Sequence, residues 1–167
     1  PEVLVENLDR WGADEILVQC IDRSNAELGP DFALIERIGK LGVSTPLIYS
    51  GGIATAEQAR KVVNLAADRV CVDSLLHDNP DEVREIASQL GAQAVIAALP
   101  LSMEEGRARW LDYRTEATSD LPGDLLASLA SGAVSEAMVI DWRNEGHPGG
   151  FDMQLLDAAL PGEIPVI

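Results

Sequence analysis

The sequence predicts an α/β fold built on a parallel sheet, and three observations carry that prediction. Short β-branched runs alternate with amphipathic stretches of about ten to thirteen residues, the order expected of successive βα units. Most of the strand-like runs are continuously apolar rather than alternating, which fits cover on both faces of the sheet. Shifting the sequence by 121 residues lays like upon like through a helix, a strand and the loop after it, so the chain carries an internal repeat.

Each element follows from local signals. The chain opens on what reads as the helix after a first strand. Strands are expected at Ile16 to Ile21, Pro46 to Tyr49, Arg69 to Asp73, Ala94 to Leu99 and Ala137 to Asp141, with a sixth starting at Ile164 to Ile167. Two helix starts are marked most clearly. Thr55 and Gln58 have capping-box spacing ahead of Ala59, Val62 and Val63. Asn79-Pro80-Asp81-Glu82 places a cap, a first-turn proline and two acids in order.

The repeat sets the architecture. Pro1, Leu4, Leu8, Glu15 and Val18 fall on Pro122, Leu125, Leu129, Glu136 and Val139, and Gly29, Asp31 and Leu34 fall on Gly150, Asp152 and Leu155. Residues 1–52 thus resemble 122–167. A period near 120 residues is about four βα units, or half of an eight-stranded barrel, and two halves approach the ~250 residues typical of that fold. With 167 residues, the expectation is one domain over 1–167, an incomplete (β/α)8 TIM barrel of about six strands. Strand one and the material after strand seven are expected to be missing.

Composition narrows the function classes. Apolar residues make up 47% and charged residues 24%, an ordinary globular mixture. Apolar runs reach about eight residues, against the roughly 20 needed to span a bilayer, so no membrane span is expected. The start, Pro1-Glu2-Val3-Leu4, shows no signal or transit peptide, and the cytoplasm is the expected address. A net charge of −16 repels polyanions, so no nucleic-acid partner is expected. Cys20 and Cys71, far apart in apolar runs, read as reduced buried thiols, with no metal site and no cofactor.

In a barrel of this kind the loops after the strands build the site. Gly51-Gly52 follows a buried strand and precedes a capped helix, an arrangement whose backbone amides suit a phosphate, with the Ser74 hydroxyl at the next strand end. The same glycines could simply make a tight turn, and Asp73 beside Ser74 would repel a phosphate. His77 and His147 read as solvated loop residues; Trp11, Trp110 and Trp142 read as packing residues, with a pocket floor the alternative for Trp142.

These residues carry a resemblance. Gly12-Ala13-Asp14-Glu15-Ile16, Gly29-Pro30-Asp31-Phe32-Ala33-Leu34-Ile35, Gly51-Gly52-Ile53, Ala67-Asp68-Arg69-Val70 and Asp78-Asn79-Pro80 together resemble strands two to four of the cyclase subunit of imidazole glycerol phosphate synthase. Asp141 to Asp152 is similar to an altered form of that family's strand-six loop, and the sister isomerase of histidine synthesis is a second match. The segment Gly29 to Ile38 leans toward paralogues of surface-polysaccharide synthesis.

The resemblance implies a ribulose-phosphate-binding barrel whose substrate, a phosphoribulosyl aminoimidazole carboxamide, carries a phosphate at each end. It also implies ammonia supplied by a glutaminase partner. The phosphate site of the first half transfers onto Gly51, Gly52 and Ser74, with Asp73 where an asparagine is usual; Cys20, Asp73 and Arg143 fall in the pocket. Glu15, Arg69 and Glu136 match three of the four charges ringing the barrel end where ammonia enters. Each sits at the start of an apolar strand, where pairing is the remedy for a lone charge.

The family's catalytic pattern is broken here. Strand one lies outside the chain, Pro100 stands in place of the strand-five aspartate, Cys20 in place of a strand-two aspartate, and Arg143 in place of one in the strand-six loop. Asp22 and Asp141, at strand ends, are the remaining acid–base candidates. Cys20 could act as a nucleophile if Arg143 lowered its pKa, although a buried core thiol is the simpler reading. Two functions remain: a lyase-type cyclase, or a repurposed barrel that docks a glutaminase-type partner in polysaccharide modification.

Overall fold

In a computed structural model, which describes residues 1–25, 28–159 and 164–167, helices alternate with strands of a mainly parallel sheet. The first half runs α1 (Glu2–Trp11), β1 (Ile16–Gln19), α2 (Ile21–Asn25), α3 (Phe32–Gly39), β2 (Leu47–Ser50), α4 (Ala56–Leu65) and β3 (Arg69–Val72). There follow α5 (Ser74–Asp78), α6 (Pro80–Leu90), β4 (Val95–Glu104), β5 (Arg107–Asp112), β6 (Ala117–Ser119), α7 (Gly123–Ser128), β7 (Glu136–Asp141) and α8 (Gln154–Ala159).

Parallel pairing runs β1–β2–β3–β4–β7, and β5 and β6 hang from β4 as an antiparallel extension. The expected sixth parallel strand is a single bridge, Val166 to Ala137, held by Ala137 N–H to Pro165 O (2.9 Å) and Val139 N–H to Ile167 O (3.0 Å). At the repeat offset, residues 137–140 lie in β7 as Ile16–Gln19 lie in β1.

The strands behave as continuously apolar runs only at the centre. All four residues of β2 are buried, as are the first eight of β4, whereas β1 and β7 alternate. Leu17 on β1 is exposed, and Glu136, Met138 and Ile140 on β7 are half-buried. The alternation separates two faces. Tyr49, Val70, Val72, Leu99 and Leu101 pack outward against α4, α6 and the hairpin in the main core. Ile48, Cys71, Ile96 and Ala98, with Met138 and Ile140 packed beside them, form a separate inner-face cluster. Toward the flanking strand β7 that face is only partly shielded, Met138 and Ile140 being half-buried.

Helix caps follow the sequence in part. Thr55 Oγ1 accepts the Gln58 N–H (3.2 Å), but Gln58 Oε1 reaches back to the N–H of Ala54 (2.8 Å), one residue short of a capping box. Pro80 occupies the first turn of α6, yet the Asn79 side chain makes no cap bond. Asp31 caps α3 through the Leu34 N–H (3.0 Å).

The principal departure from the sequence reading lies at 100–119. The strand expected to end at Leu99 runs on to Glu104, turns through Glu105 and Gly106, both with positive φ (49° and 78°), and returns as β5. Two central residues with positive φ make the tight turn whose twist matches a hairpin. Trp110 on β5 is 2% exposed and stacks on His77, ring centroids 3.5 Å apart. His77 is therefore a helical, half-buried residue of α5 rather than a solvated loop residue. Trp11, expected to pack, is 72% exposed at the end of α1. His147 is exposed, as expected.

Candidate functional site

In a parallel sheet every strand presents its C-terminal end to the same side, and there the structure holds a cavity of about 310 Å³. Gln19, Cys20 and Ile21 line it after β1, Ser50 to Ile53 after β2, and Cys71 to Ser74 at the end of β3. Ile140 and Glu145 close it from β7 and the loop beyond, and Asp112, Tyr113 and Arg114 lean in from the hairpin.

The glycine loop is tightly determined. A Cβ on Gly51 would stand 2.4 Å from the carbonyl oxygen of Cys20, and one on Gly52 2.6 Å from the backbone of Gly29, and both glycines have positive φ (128° and 68°). Close packing of β2 against the segments after β1 thus requires these glycines whether or not a ligand lies beside them. The loop after β1 is anchored next to them: Arg23 pairs with Asp31 (2.7 Å), and the Asp31 N–H donates to the Tyr49 hydroxyl (2.7 Å).

Asp73 lies directly after β3 and lines the cavity, two residues beyond Cys71 of the inner-face cluster. Its carboxyl accepts no hydrogen bond from the described residues. Burial, reinforced by the Asp112 carboxylate and opposed by Arg114, pushes its pKa up to about 7. Arg114 is committed elsewhere, with two bonds to Asp78 (2.6 and 2.9 Å) and one to Asp112 Oδ2 (3.0 Å). Those pairs fasten the hairpin over α5 and hold Asp112 below the ordinary carboxylate range.

The cysteines are poor nucleophiles. Burial raises the Cys20 thiol and pushes Cys71 up to about 12. Arg143 does not stand by Cys20: exposed, it pairs with Glu104 (2.6 Å) and lies 5.0 Å from the Trp142 ring, and neither lines the cavity. Asp22 is exposed on α2. Asp141, 6% exposed, accepts bonds from Asn144 Nδ2 and the Asp152 N–H (both 2.8 Å), and so pins the 142–152 loop. Pro100 is buried in β4, in register with Ile140.

At the opposite end of the same face the structure brings three charges together. Arg69 donates to Glu136 (2.7 Å), Glu15 (3.2 Å), the Ser135 hydroxyl (2.8 Å) and the Gln93 carbonyl (3.2 Å). Burial alone would lower the Arg69 pKa, but the two carboxylates more than offset it and the net shift is upward. From Arg69 to Asp73 is about 13 Å of strand at ~3.3 Å per residue, and the apolar inner cluster fills the interval.

Comparison with known proteins decides the family: the profile described as "Histidine biosynthesis protein" matches residues 1–167. The chain belongs to the histidine biosynthesis protein family. The fold is accordingly an α/β one of the (β/α)8 barrel type, of which the described residues form a part. It is 27% identical over 161 residues to the imidazole glycerol phosphate synthase subunit HisF of Dictyoglomus thermophilum, covering 94% of this chain and 63% of that protein. It is 26% identical over 169 residues to the subunit of the same name from Natranaerobius thermophilus, covering 100% of this chain and 67% of that one. The chain therefore spans about two thirds of the length of the curated relatives it matches.

Sequence reasoning missed Asp112, Tyr113 and Arg114. The signal was present: Glu105-Gly106 separates two runs able to pair as a hairpin, a short-range pattern distinct from the buried parallel strands. Among the described residues no group of acids, histidines and cysteines is placed to hold a metal, and no helix is long and apolar enough to cross a membrane.

Proposed function

We propose that this member of the histidine biosynthesis family serves as the ammonia-using barrel subunit of an imidazole glycerol phosphate synthase-type enzyme. In this reading a glutaminase-type partner docks at the end marked by Glu15, Arg69 and Glu136. A phosphorylated aminoimidazole substrate is held at the other end, with one phosphate at Gly51, Gly52 and Ser74. The observation that carries the reading is the arrangement of one sheet face: a charged cluster, an apolar layer and a cavity in line along the strands. Neutral ammonia crosses an apolar layer far more readily than ammonium, whose charge would have to be desolvated.

The chemistry asks for proton transfers as the ammonia-derived nitrogen is taken up and the imidazole ring closes. At the position where the family has its strand-five acid, the buried ring of Pro100 can neither take nor give a proton. That observation favours a second reading, a barrel that keeps its partner-facing end and has been repurposed toward surface-polysaccharide modification.

The deciding experiment uses the full-length protein with a glutaminase subunit and compares Pro100→Asp with the unaltered protein. Turnover of the aminoimidazole substrate, with ammonia or glutamine, supports the cyclase reading; turnover gained only by Pro100→Asp identifies a barrel that has lost its acid. Glutaminase binding without turnover in either protein supports the docking reading. Absence of both turnover and binding refutes the two together.

A further inference from the structure

One wall of the cavity is negatively charged. Asp73, Asp112 and Glu145 line it against a single guanidinium, Arg114, which is already engaged by Asp78 and Asp112. An oxyanion at the glycine loop would lie beside Asp73, which is half-buried after β3, lines the cavity and accepts no side-chain hydrogen bond from the described residues. Resting on the phosphate reading of this cavity, we propose that Asp73 is its specificity-determining residue, admitting an oxyanion beside Gly51 and Ser74 only when its own carboxyl carries a proton.

The physical reason is that one group plays opposite parts in its two states. As a carboxylate, Asp73 accepts hydrogen bonds and repels a phosphate; as a carboxylic acid it donates one. Burial and the neighbouring Asp112 keep the proton on to about pH 7.

Other titratable and charged groups surround the cavity, and Asp73→Asn separates their contribution from that of Asp73. The hairpin contributes Asp112, held below the ordinary carboxylate range, Arg114, whose cation is stabilised, and Tyr113, pushed up to about 12 by burial. The segment after β1 contributes Cys20, a thiol raised by burial, and α5 contributes His77, whose neutral form burial favours. Glu145 completes the wall from the loop after β7.

Sulfate is the suitable probe, because it stays divalent across the working pH range and leaves the protein as the variable. Sulfate is titrated into the full-length protein at several pH values from about 5.5 to 8.5, and binding is read from the backbone amide resonances of Gly51 and Ser74. The affinity of the unaltered protein is expected to fall about 30-fold over that interval if only the protonated form binds. Asp73→Asn, which keeps shape and donor without titrating, should bind with less than about threefold variation, and Asp112→Asn should move the midpoint to lower pH.

A flat profile in the unaltered protein overturns the inference while leaving the phosphate site standing, and so does a fall of equal size in Asp73→Asn. Failure of every protein to bind sulfate at any pH, with amide spectra that remain dispersed, refutes the phosphate reading and this inference with it.

Discussion

Replacing Arg69 with methionine removes the guanidinium that joins Glu15 to Glu136 while keeping most of the side chain's stem. Arg69 is 15% exposed, Glu136 28% and Glu15 41%. The bond to the more exposed Glu15 is worth about 0–1 kcal/mol after solvent screening. The 2.7 Å bond to Glu136, better shielded, contributes about 1–2 kcal/mol, the lower part of the range for charge-assisted bonds. The Ser135 hydroxyl and the Gln93 carbonyl add a few tenths of a kcal/mol each, because water can replace the arginine at an end that is partly open. Methionine returns some of this by burying its own apolar surface.

The net expectation is a loss of about 2 kcal/mol, which for a chain of this size lowers Tm by about 4–8 °C. Thermal unfolding followed by circular dichroism measures it, and a cycle with Glu136→Gln isolates the pair, with an expected coupling near 1 kcal/mol. A loss below about 0.5 kcal/mol together with zero coupling would refute the reasoning, and the three charges would then be independently solvated strand starts.

Four further outcomes follow from particular contacts. Gly52→Ala should destabilise by about 2–4 kcal/mol, from a left-handed backbone and a Cβ 2.6 Å from Gly29, whereas Gly106→Ala, with open space around it, should cost only about 1 kcal/mol; urea midpoints distinguish them. Trp110→Ala should cost about 3–5 kcal/mol by emptying the hairpin's buried anchor. The His77 pKa lies below its ordinary value through burial, so its contribution is present above the unfolded value of 6.5 and is lost as pH falls through the folded pKa. His77→Phe should abolish that loss, as measured by the tryptophan fluorescence of the stacked pair against pH. The Asp73 pKa is raised, so the sign is opposite: its contribution is fully present below the unfolded value of 3.8 and is lost as pH rises toward about 7. Asp73→Asn should therefore stabilise the protein at pH 8, by about 2 kcal/mol when a shift of this size is discounted for relaxation, and leave it nearly unchanged at low pH; paired denaturation curves check it.

Much of the fold and part of the site were legible in the amino-acid order. β2, β3 and the first part of β4 could be read because strands buried on both faces are continuously apolar, and the start of α4 because Thr55 and Gln58 stand three apart. β5 and β6 were not read, because a hairpin covering a core on one side has a different pattern, and its partner in packing, His77, lies 33 residues upstream of Trp110. The stacked His77 looked like a loop residue for the same reason: nothing near it in the chain announces the ring it meets.

Local order thus determined the alternation of helix and strand, the parallel sheet, the glycine loop and the family to which the chain belongs, since periodicity, capping and turn chemistry act between residues a few positions apart. Tertiary structure alone decided which charges meet and which side chains are shielded. Glu15, Arg69 and Glu136, spread over most of the chain, converge because parallel strands align their starts. Asp73 acquires its high pKa, and Arg143 is turned away from Cys20 toward Glu104, through neighbours supplied by distant segments. Desolvation and Coulomb interaction depend on distance and burial in space, and separation along the chain specifies neither.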